Sequence, residues 1–388
     1  MTYIKKPDNE YKGFEQGPIR PPSEAGSLLV RVTRNCPWNR CIFCPVYKDS
    51  RFSVRPIEHV IRDIDMVHRH VASIRQMADA SGNVLRHDLQ SAADRVAPGE
   101  MPAFNAALHW YAGGMRSIFL QDANSLIIKP AGLVAILDQL KACFPWVERI
   151  TSYARSHTIA RIKDDDLKAI AAAGLNRIHI GLESGSDLVL RLVQKGADKA
   201  THIKAGRKVK AAGMELSEYV MPGLGGREHT DIHAVETADA LNQINPDFIR
   251  LRTLAIPESA PLYDHYQAGR FHKCTDLEMA KETLLFMETL GGVTSVIRSD
   301  HILNLFQDLE GKFPEDKPRM IGILHRFLDM SPEEQTLYQV GRRIGVFASM
   351  DDMQRPRRLA RVQQTCEELG ITPSNVDELI DELMKRFI

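Results

Sequence analysis

Three cysteines crowd into one short stretch, Cys36-Pro-Trp-Asn-Arg-Cys41-Ile-Phe-Cys44, with the spacing C-x4-C-x2-C. Soft thiolates gathered in this way select zinc or iron–sulfur. A structural zinc site needs four ligands and normally a second Cys or His pair downstream. Here the next cysteine is Cys143, and no pair with finger spacing follows. Plant-type ferredoxins share the spacing and complete a [2Fe–2S] site with a fourth cysteine, which is absent at a comparable distance. Buried structural thiols would not need to cluster. Three thiolates on a four-iron cluster leave one iron without a protein ligand, and an open metal position is where substrate or cofactor binds. The spacing alone leaves an electron carrier and a catalytic cluster both open. Cys143, Cys274 and Cys366 are too scattered for a second cluster or a disulfide scaffold.

Other residues of chemical interest stand at the ends of apolar runs. They are Gln121-Asp122-Ala-Asn124, Tyr153-Ala-Arg155, Gly181-Leu-Glu183-Ser184, Met221-Pro-Gly223-Leu-Gly225-Gly226 and Leu254-Ala-Ile256. Ser299-Asp300-His301 forms a separate polar group, in which Asp300 and His301 could donate a proton or orient a substrate. It reads equally as a capped helix start.

The elements that must hold these groups alternate. Leu28–Thr33, Ser117–Gln121, Arg149–Tyr153, Arg177–Gly181, Leu216–Met221 and Phe248–Ile256 read as strands. Helices are predicted over Pro56–Ala80, Leu133–Phe144, Asp164–Ala173, Lys199–Ala212 and Asp231–Ile244, from three- and four-residue apolar spacing and terminal signals. Six strands separated by helices call for a parallel sheet, either a β/α barrel or a doubly wound sheet. The expected organisation is an irregular lead-in over 1–27, a core over 28–260 with a partly helical insertion at 83–115, and a mostly helical region over 261–388.

A strand running into a tri-cysteine loop, the aromatic Phe43 before its last cysteine and a following β/α core resemble the radical S-adenosylmethionine (SAM) superfamily. The resemblance covers roughly residues 28–260. It is closest to the core shared by anaerobic coproporphyrinogen dehydrogenases, methylthiotransferases and elongator-type proteins. That family's usual loop is C-x3-C-x2-C, so one residue is extra here, between Cys36 and Cys41. The resemblance implies a partial (β/α)6 TIM-type barrel, with Cys36, Cys41 and Cys44 holding a [4Fe–4S] cluster. Matching motifs place SAM against Phe43, Asp122, Arg155, Glu183, Ser184, Arg207, Gly223, Gly225 and Leu254, with Lys208 competing for the role of Arg207. Ligands of such folds do sit at the carboxyl ends of strands.

The implied activity is reductive cleavage of SAM to a 5′-deoxyadenosyl radical, which abstracts hydrogen from an unidentified small molecule under anaerobic conditions. It requires an external one-electron donor of flavodoxin or ferredoxin type. The alternatives are a non-catalytic iron–sulfur protein that carries electrons or chaperones a cofactor such as heme, or an RNA-modifying member of the family. Glu183 and the glycine-rich turn favour SAM turnover. In 388 residues, 50 basic and 50 acidic side chains cancel, so no overall field supports a nucleic-acid partner. Arg342, Arg343, Arg355, Arg357, Arg358 and Arg361 read as a solvated helical face. No secretory signal follows the first lysines and no apolar run is long enough to span a bilayer, so a cytoplasmic, membrane-free protein is expected.

Overall fold

The computed structural model describes residues 10–384, which form two compact units. Unit 1 holds residues up to Asn39, Val46–Ile180 and Lys208–Glu215. Its sheet contains β1 (Leu28–Arg31), β4 (Ser117–Gln121), β5 (Arg149–Ala154) and the first residues of β6 (Arg177–Glu183), and two short strands, β2 (Thr33–Arg34) and β3 (Ser53–Val54), pair antiparallel beside it. All pairings in the sheet of this unit are parallel, with Leu28 opposite Ile118, Ser117 opposite Arg149 and Thr151 opposite Arg177. Strand order here follows chain order, β1-β4-β5-β6. A doubly wound sheet would reverse its order at a switch point. The arrangement is therefore an α/β parallel sheet in chain order, not a doubly wound one.

The crossovers are α1 (Ile57–Met77), α2 (Arg86–Ala93), α3 (Met101–Ala112), α4 (Pro130–Cys143), α5 (Ser156–Ile159) and α6 (Asp164–Ala173). On α1, Val60, Ile64, Val67, Val71 and Ile74 are all buried, the stripe expected of a helix covering a sheet. Three aspartates open α6 and Gly174 closes it at φ +117°, a conformation that favours glycine. The lead-in is more than a lead-in. Glu24, in a 3₁₀ turn over Pro22–Glu24, is buried, accepts from Ser27 Oγ at 2.6 Å and lies 3.4 Å from Arg149 and 3.6 Å from His179. Burial alone would raise its pKa, but bonds from His179 and Ser27 and the charge of Arg149 hold it below the usual carboxylate value.

Unit 2 holds Arg40–Pro45, Gly181–Arg207 and Leu216 onward. Its helices are α7 (Asp187–Leu192), α8 (Lys199–Ala211, whose end belongs to unit 1), α9 (Thr230–Ile244), α10 (Leu262–Gln267), α11 (Asp276–Thr289), α12 (Lys317–Leu328), α13 (Pro332–Arg343), α14 (Pro356–Leu369) and α15 (Val376–Met384). Its strands are β7 (Glu215–Val220), β8 (Phe248–Leu251), β9 (Val296–Arg298) and β10 (Gly311–Lys312), again paired in chain order. Thus the region beyond 260 is not helical throughout: β9 extends the parallel series from β8, and β10 turns back antiparallel on β9. Both strands are too short to show a period-two pattern, which is why the sequence does not reveal them. The sixth predicted strand also stops early, at Leu251.

The basic stretch divides. Arg342 gives its guanidinium to the carbonyls of Leu305 and Phe347, and Arg343 is buried against Asp276 at 2.8 Å and the Leu303 carbonyl at 2.7 Å. Only its later members, Arg355, Arg357 and Arg361, are exposed as expected. No helix among the described residues is long and apolar enough to cross a membrane.

Candidate active site

In unit 1 the carboxylate of Asp122, just past β4, is fully buried and surrounded by donors. Oδ2 accepts from Arg31 Nη2 at 2.7 Å, from Arg31 Nε at 3.1 Å and from the Asn35 amide at 3.1 Å; Oδ1 accepts from the Tyr47 hydroxyl at 2.8 Å. A Cβ on Gly17 would lie 2.2 Å from Oδ1, so the lead-in closes over the carboxylate. Asp122 is therefore enclosed by its own chain, where the sequence placed it against SAM. Burial first, then the charge and hydrogen bond of Asp122, push the Tyr47 phenol well above its ordinary pKa, against the lowering effect of Arg31. Arg155 stands at the start of α5 with its guanidinium 5.1 Å from the Trp38 ring centre, a cation–π distance. Its amide is held by Asn124 Oδ1 at 3.0 Å.

In unit 2 the apex of the cysteine loop is bonded to the chain after α7. The Ile42 amide donates to the Val193 carbonyl at 3.1 Å and the Leu262 amide to the Ile42 carbonyl at 2.8 Å. The Cys41 thiol lies 4.0 Å from the Lys195 carbonyl. Ile42 is buried in an apolar cluster with Val189, Val193, Leu224 and Leu254, and Phe43 packs against it. The Lys195 ammonium meets Glu183 Oε1 at 3.1 Å and sits 5.8 Å from the Phe43 ring centre. Glu183 ends β6 at φ +63°, unusual for a non-glycine residue. Deep beside this pair is Glu218 of β7, wholly buried with neither carboxylate oxygen hydrogen-bonded. Burial raises its pKa well above the ordinary value, with Glu183 adding to the rise and Lys195 opposing it. A buried acid with a raised pKa, an ammonium and a carboxylate thus lie near one another.

Neither Lys195 nor Glu218 was singled out by sequence. For Glu218 a signal existed: it shares a strand face with Leu216 and Val220, so a charge stands at a core position. Lys195 follows α7 in a loop and carried no such mark.

Ser184 turns inward, its hydroxyl 2.8 Å from His233 Nδ1, and it accepts from the Ser186 amide at 3.0 Å. His233 Nε2 in turn donates to the Met221 carbonyl at 3.0 Å. Desolvation holds the His233 pKa at about 4, so the ring is neutral. Ser184 and His233 therefore tie the end of β6 to the glycine-rich turn after β7. Gly223 adopts φ +83° and gives its amide to Glu282 at 2.8 Å, while a Cβ on Gly225 would meet the His229 carbonyl at 2.9 Å. Burial lifts the Glu282 pKa to about 8. Leu254 is in an irregular segment, not a strand, and its amide is taken by the Pro222 carbonyl at 3.0 Å. Its N–H is thus committed within the chain, at a residue that the resemblance placed against SAM.

Arg207 is exposed on α8 and donates to the Gln243 carbonyl on α9 at 3.0 Å. Its rival Lys208 reaches the Ile162 carbonyl and Asp164. Asp300 pairs with buried Arg250 of β8 at 2.8 Å. His301 accepts from the Leu303 amide at 3.3 Å, and burial takes its pKa to about 4. No helix begins there.

The six cysteines form no disulfide, and they fall into two kinds. Cys143, Cys274 and Cys366 are buried, and desolvation raises the pKa of each, which keeps them as inert thiols. Cys36, Cys41 and Cys44 are partly exposed on irregular backbone. Among the described residues no three His, Cys, Asp or Glu side chains stand grouped as a metal site. The donor chemistry is what fits an iron–sulfur cluster: three accessible soft ligands on one adaptable loop, and three others withdrawn from use.

The radical SAM superfamily profile matches residues 105–241, a span that contains Asp122, Arg155, Glu183, Lys195, Glu218 and the glycine-rich turn and excludes the cysteine loop. The tRNA uridine(34) acetyltransferase of Methanocaldococcus infernus is 22% identical over 274 residues, covering 66% of this chain and 47% of that protein. The 4′-phospho-dehydrooxetanocin synthase of Priestia megaterium is 28% identical over 229 residues, covering 56% and 26%. The chain thus spans less than half the length of either curated relative. Among solved structures, coproporphyrinogen III oxidase (HemN) from Escherichia coli superposes with TM-score 0.44 at 16% identity, over 68% of this chain and 52% of that one. Residues 105–241 thus match the radical SAM superfamily, whose members use a [4Fe–4S] cluster and SAM.

Proposed function

We propose that this protein is a radical SAM enzyme in which Cys36, Cys41 and Cys44 ligate the cluster and Glu183 and Lys195 hold SAM beside it. One observation carries the reading. The Lys195 carbonyl lies 4.0 Å from the Cys41 thiol while its ammonium meets Glu183, so a single residue touches both the cysteine loop and the strand-end carboxylate. An ammonium can pair with the carboxylate of an amino acid, and a carboxylate can accept from ribose hydroxyls or an amino group. When bound, a reduced [4Fe–4S] cluster supplies the one electron that splits SAM into methionine and a 5′-deoxyadenosyl radical. What this chain supplies is position and exclusion of water. Phe43 and Ile42 seat the loop apex in apolar surroundings, and burial raises the pKa of Glu218 nearby. The substrate proposed is a small molecule, since the balanced charge of 50 against 50 offers nothing to a polyanion. An external flavodoxin- or ferredoxin-type donor provides the electron.

The test is anaerobic reconstitution with iron and sulfide, followed by dithionite and SAM, with 5′-deoxyadenosine as the readout. Product from the wild type that disappears in Cys41→Ala supports the reading. A well-loaded cluster that yields none, or undiminished product from Cys41→Ala, overturns it.

A further inference from the structure

The residues flanking the cysteine loop meet at one buried point. Asn35 immediately precedes Cys36 and gives its amide to Asp122, and Tyr47, three positions after Cys44, gives its hydroxyl to the other oxygen of the same carboxylate. Arg31 neutralises that carboxylate from β1. A second tie lies within the loop itself. Asn39, between the first two cysteines, takes a left-handed backbone at φ +46°, donates its side-chain amide to the Tyr47 carbonyl and accepts from Lys48 Nζ at 3.1 Å. The segment before Cys36, the spacer between Cys36 and Cys41 and the segment after Cys44 are therefore all joined through Tyr47 and Asp122.

We propose that Asp122 and Tyr47 are positioning residues that clamp the two flanks of the cysteine loop for cluster ligation, and that Asp122 does not bind SAM. The carboxylate is closed off by Arg31, Asn35, Tyr47 and Gly17, with no accessible surface and no space for a Cβ on Gly17. A ligand ammonium could reach it only by displacing its own hydrogen bonds, and a buried carboxylate that loses its partners is costly. The left-handed turn at Asn39, held by Tyr47, lies within the spacer between Cys36 and Cys41. Asparagine tolerates that conformation better than most residues. The proposal rests on the reading of Cys36, Cys41 and Cys44 as the cluster ligands.

The experiment compares wild type, Tyr47→Phe, Asn39→Gly and Asp122→Asn with two readouts. In the reduced apoprotein, iodoacetamide alkylation of Cys36 and Cys44 is followed by peptide mass spectrometry. In the reconstituted protein, iron and sulfide are counted, and the spectrum of the reduced cluster is recorded by electron paramagnetic resonance with and without SAM. Tyr47→Phe keeps the ring and removes one buried hydrogen bond, so alkylation rises roughly fivefold as local opening becomes easier. Iron retention falls in parallel, while the clusters that do form still respond to SAM. Asn39→Gly keeps the backbone turn and shows a smaller effect in the same direction. Unchanged alkylation and iron content in both variants overturn the clamp. So does Asp122→Asn if it holds a full cluster that no longer responds to SAM, because Asp122 would then be a SAM ligand. Wild-type protein that takes up no four-iron cluster overturns the functional reading instead, and the alkylation rates still decide the clamp.

Discussion

The Lys195 ammonium lies 3.1 Å from Glu183 Oε1, joining two residues that sit on opposite sides of α7 in the chain. The pair is largely but not wholly buried, with side-chain exposures of 12% and 13%. Charge-assisted hydrogen bonds of this kind are the ones whose loss is felt.

Glu183→Gln is expected to weaken SAM binding by roughly tenfold to a hundredfold, the range for one charged hydrogen bond. Cluster content should remain that of wild type, since no cysteine is touched. Anaerobic calorimetric titration with SAM, alongside an iron count, checks both. Equal SAM affinity would remove Glu183 from the site.

Gly181→Ala probes the same carboxylate from behind. A Cβ there would fall 2.2 Å from Glu183 Oε1 and 3.0 Å from Lys195 Nζ. Both are ends of flexible side chains, so the fold can yield at low cost, with melting lowered by only a few degrees. The carboxylate must swing away, so SAM affinity should fall although neither polar residue has changed. A large loss of stability with normal SAM binding would contradict this account.

The buried Glu282–His233 region predicts a signed pH dependence. Glu282 is raised to about 8, so in the folded state it keeps its proton while the unfolded chain has already ionised. Its contribution is full below the ordinary carboxylate pKa and is lost as pH rises towards 8. His233, lowered to about 4, contributes fully above the ordinary imidazole value and loses that as pH falls to 4. The two oppose each other in mildly acidic solution, and Glu282 alone acts from neutrality upward. Between roughly pH 6.5 and 8 this group should remove about 1–2 kcal/mol of stability. Denaturant melts of Glu282→Gln against wild type should show the variant gaining relative stability as pH rises. A constant difference across that interval would refute the assignment.

Arg343→Met should be strongly destabilising. It strips Asp276 of its 2.8 Å partner in a place where both side chains are buried, and one Asp276 oxygen already lacks a hydrogen bond. Breaking a buried pair from one side costs about 3–5 kcal/mol. Arg358→Met, on a partly exposed side chain paired with Asp352 at 2.6 Å, should cost less than about 1 kcal/mol. Urea unfolding of the two variants makes the comparison directly.

Much of this could be read in the amino-acid order because it is local. The three clustered cysteines announce soft-metal chemistry by type and spacing alone, without any fold. The α1 stripe and the Asp164–Gly174 helix follow from periodicity and end signals that neighbours supply. Glu183 could be singled out as a candidate because a strand end is a local feature with a general meaning. What folding decided is which polar groups meet. Asp122 and Glu183 look alike as acids after strands, yet one is closed in by Arg31, Asn35, Tyr47 and Gly17, drawn from distant parts of the chain, and the other meets Lys195. Arg343 belongs to a basic run but is buried on Asp276, whereas Arg207 sits near the expected site in sequence and is spent on Gln243. Hydrophobic periodicity tells which face of an element turns inward. It says nothing of which distant charge waits there, because that pairing depends on long-range packing that no window of sequence contains.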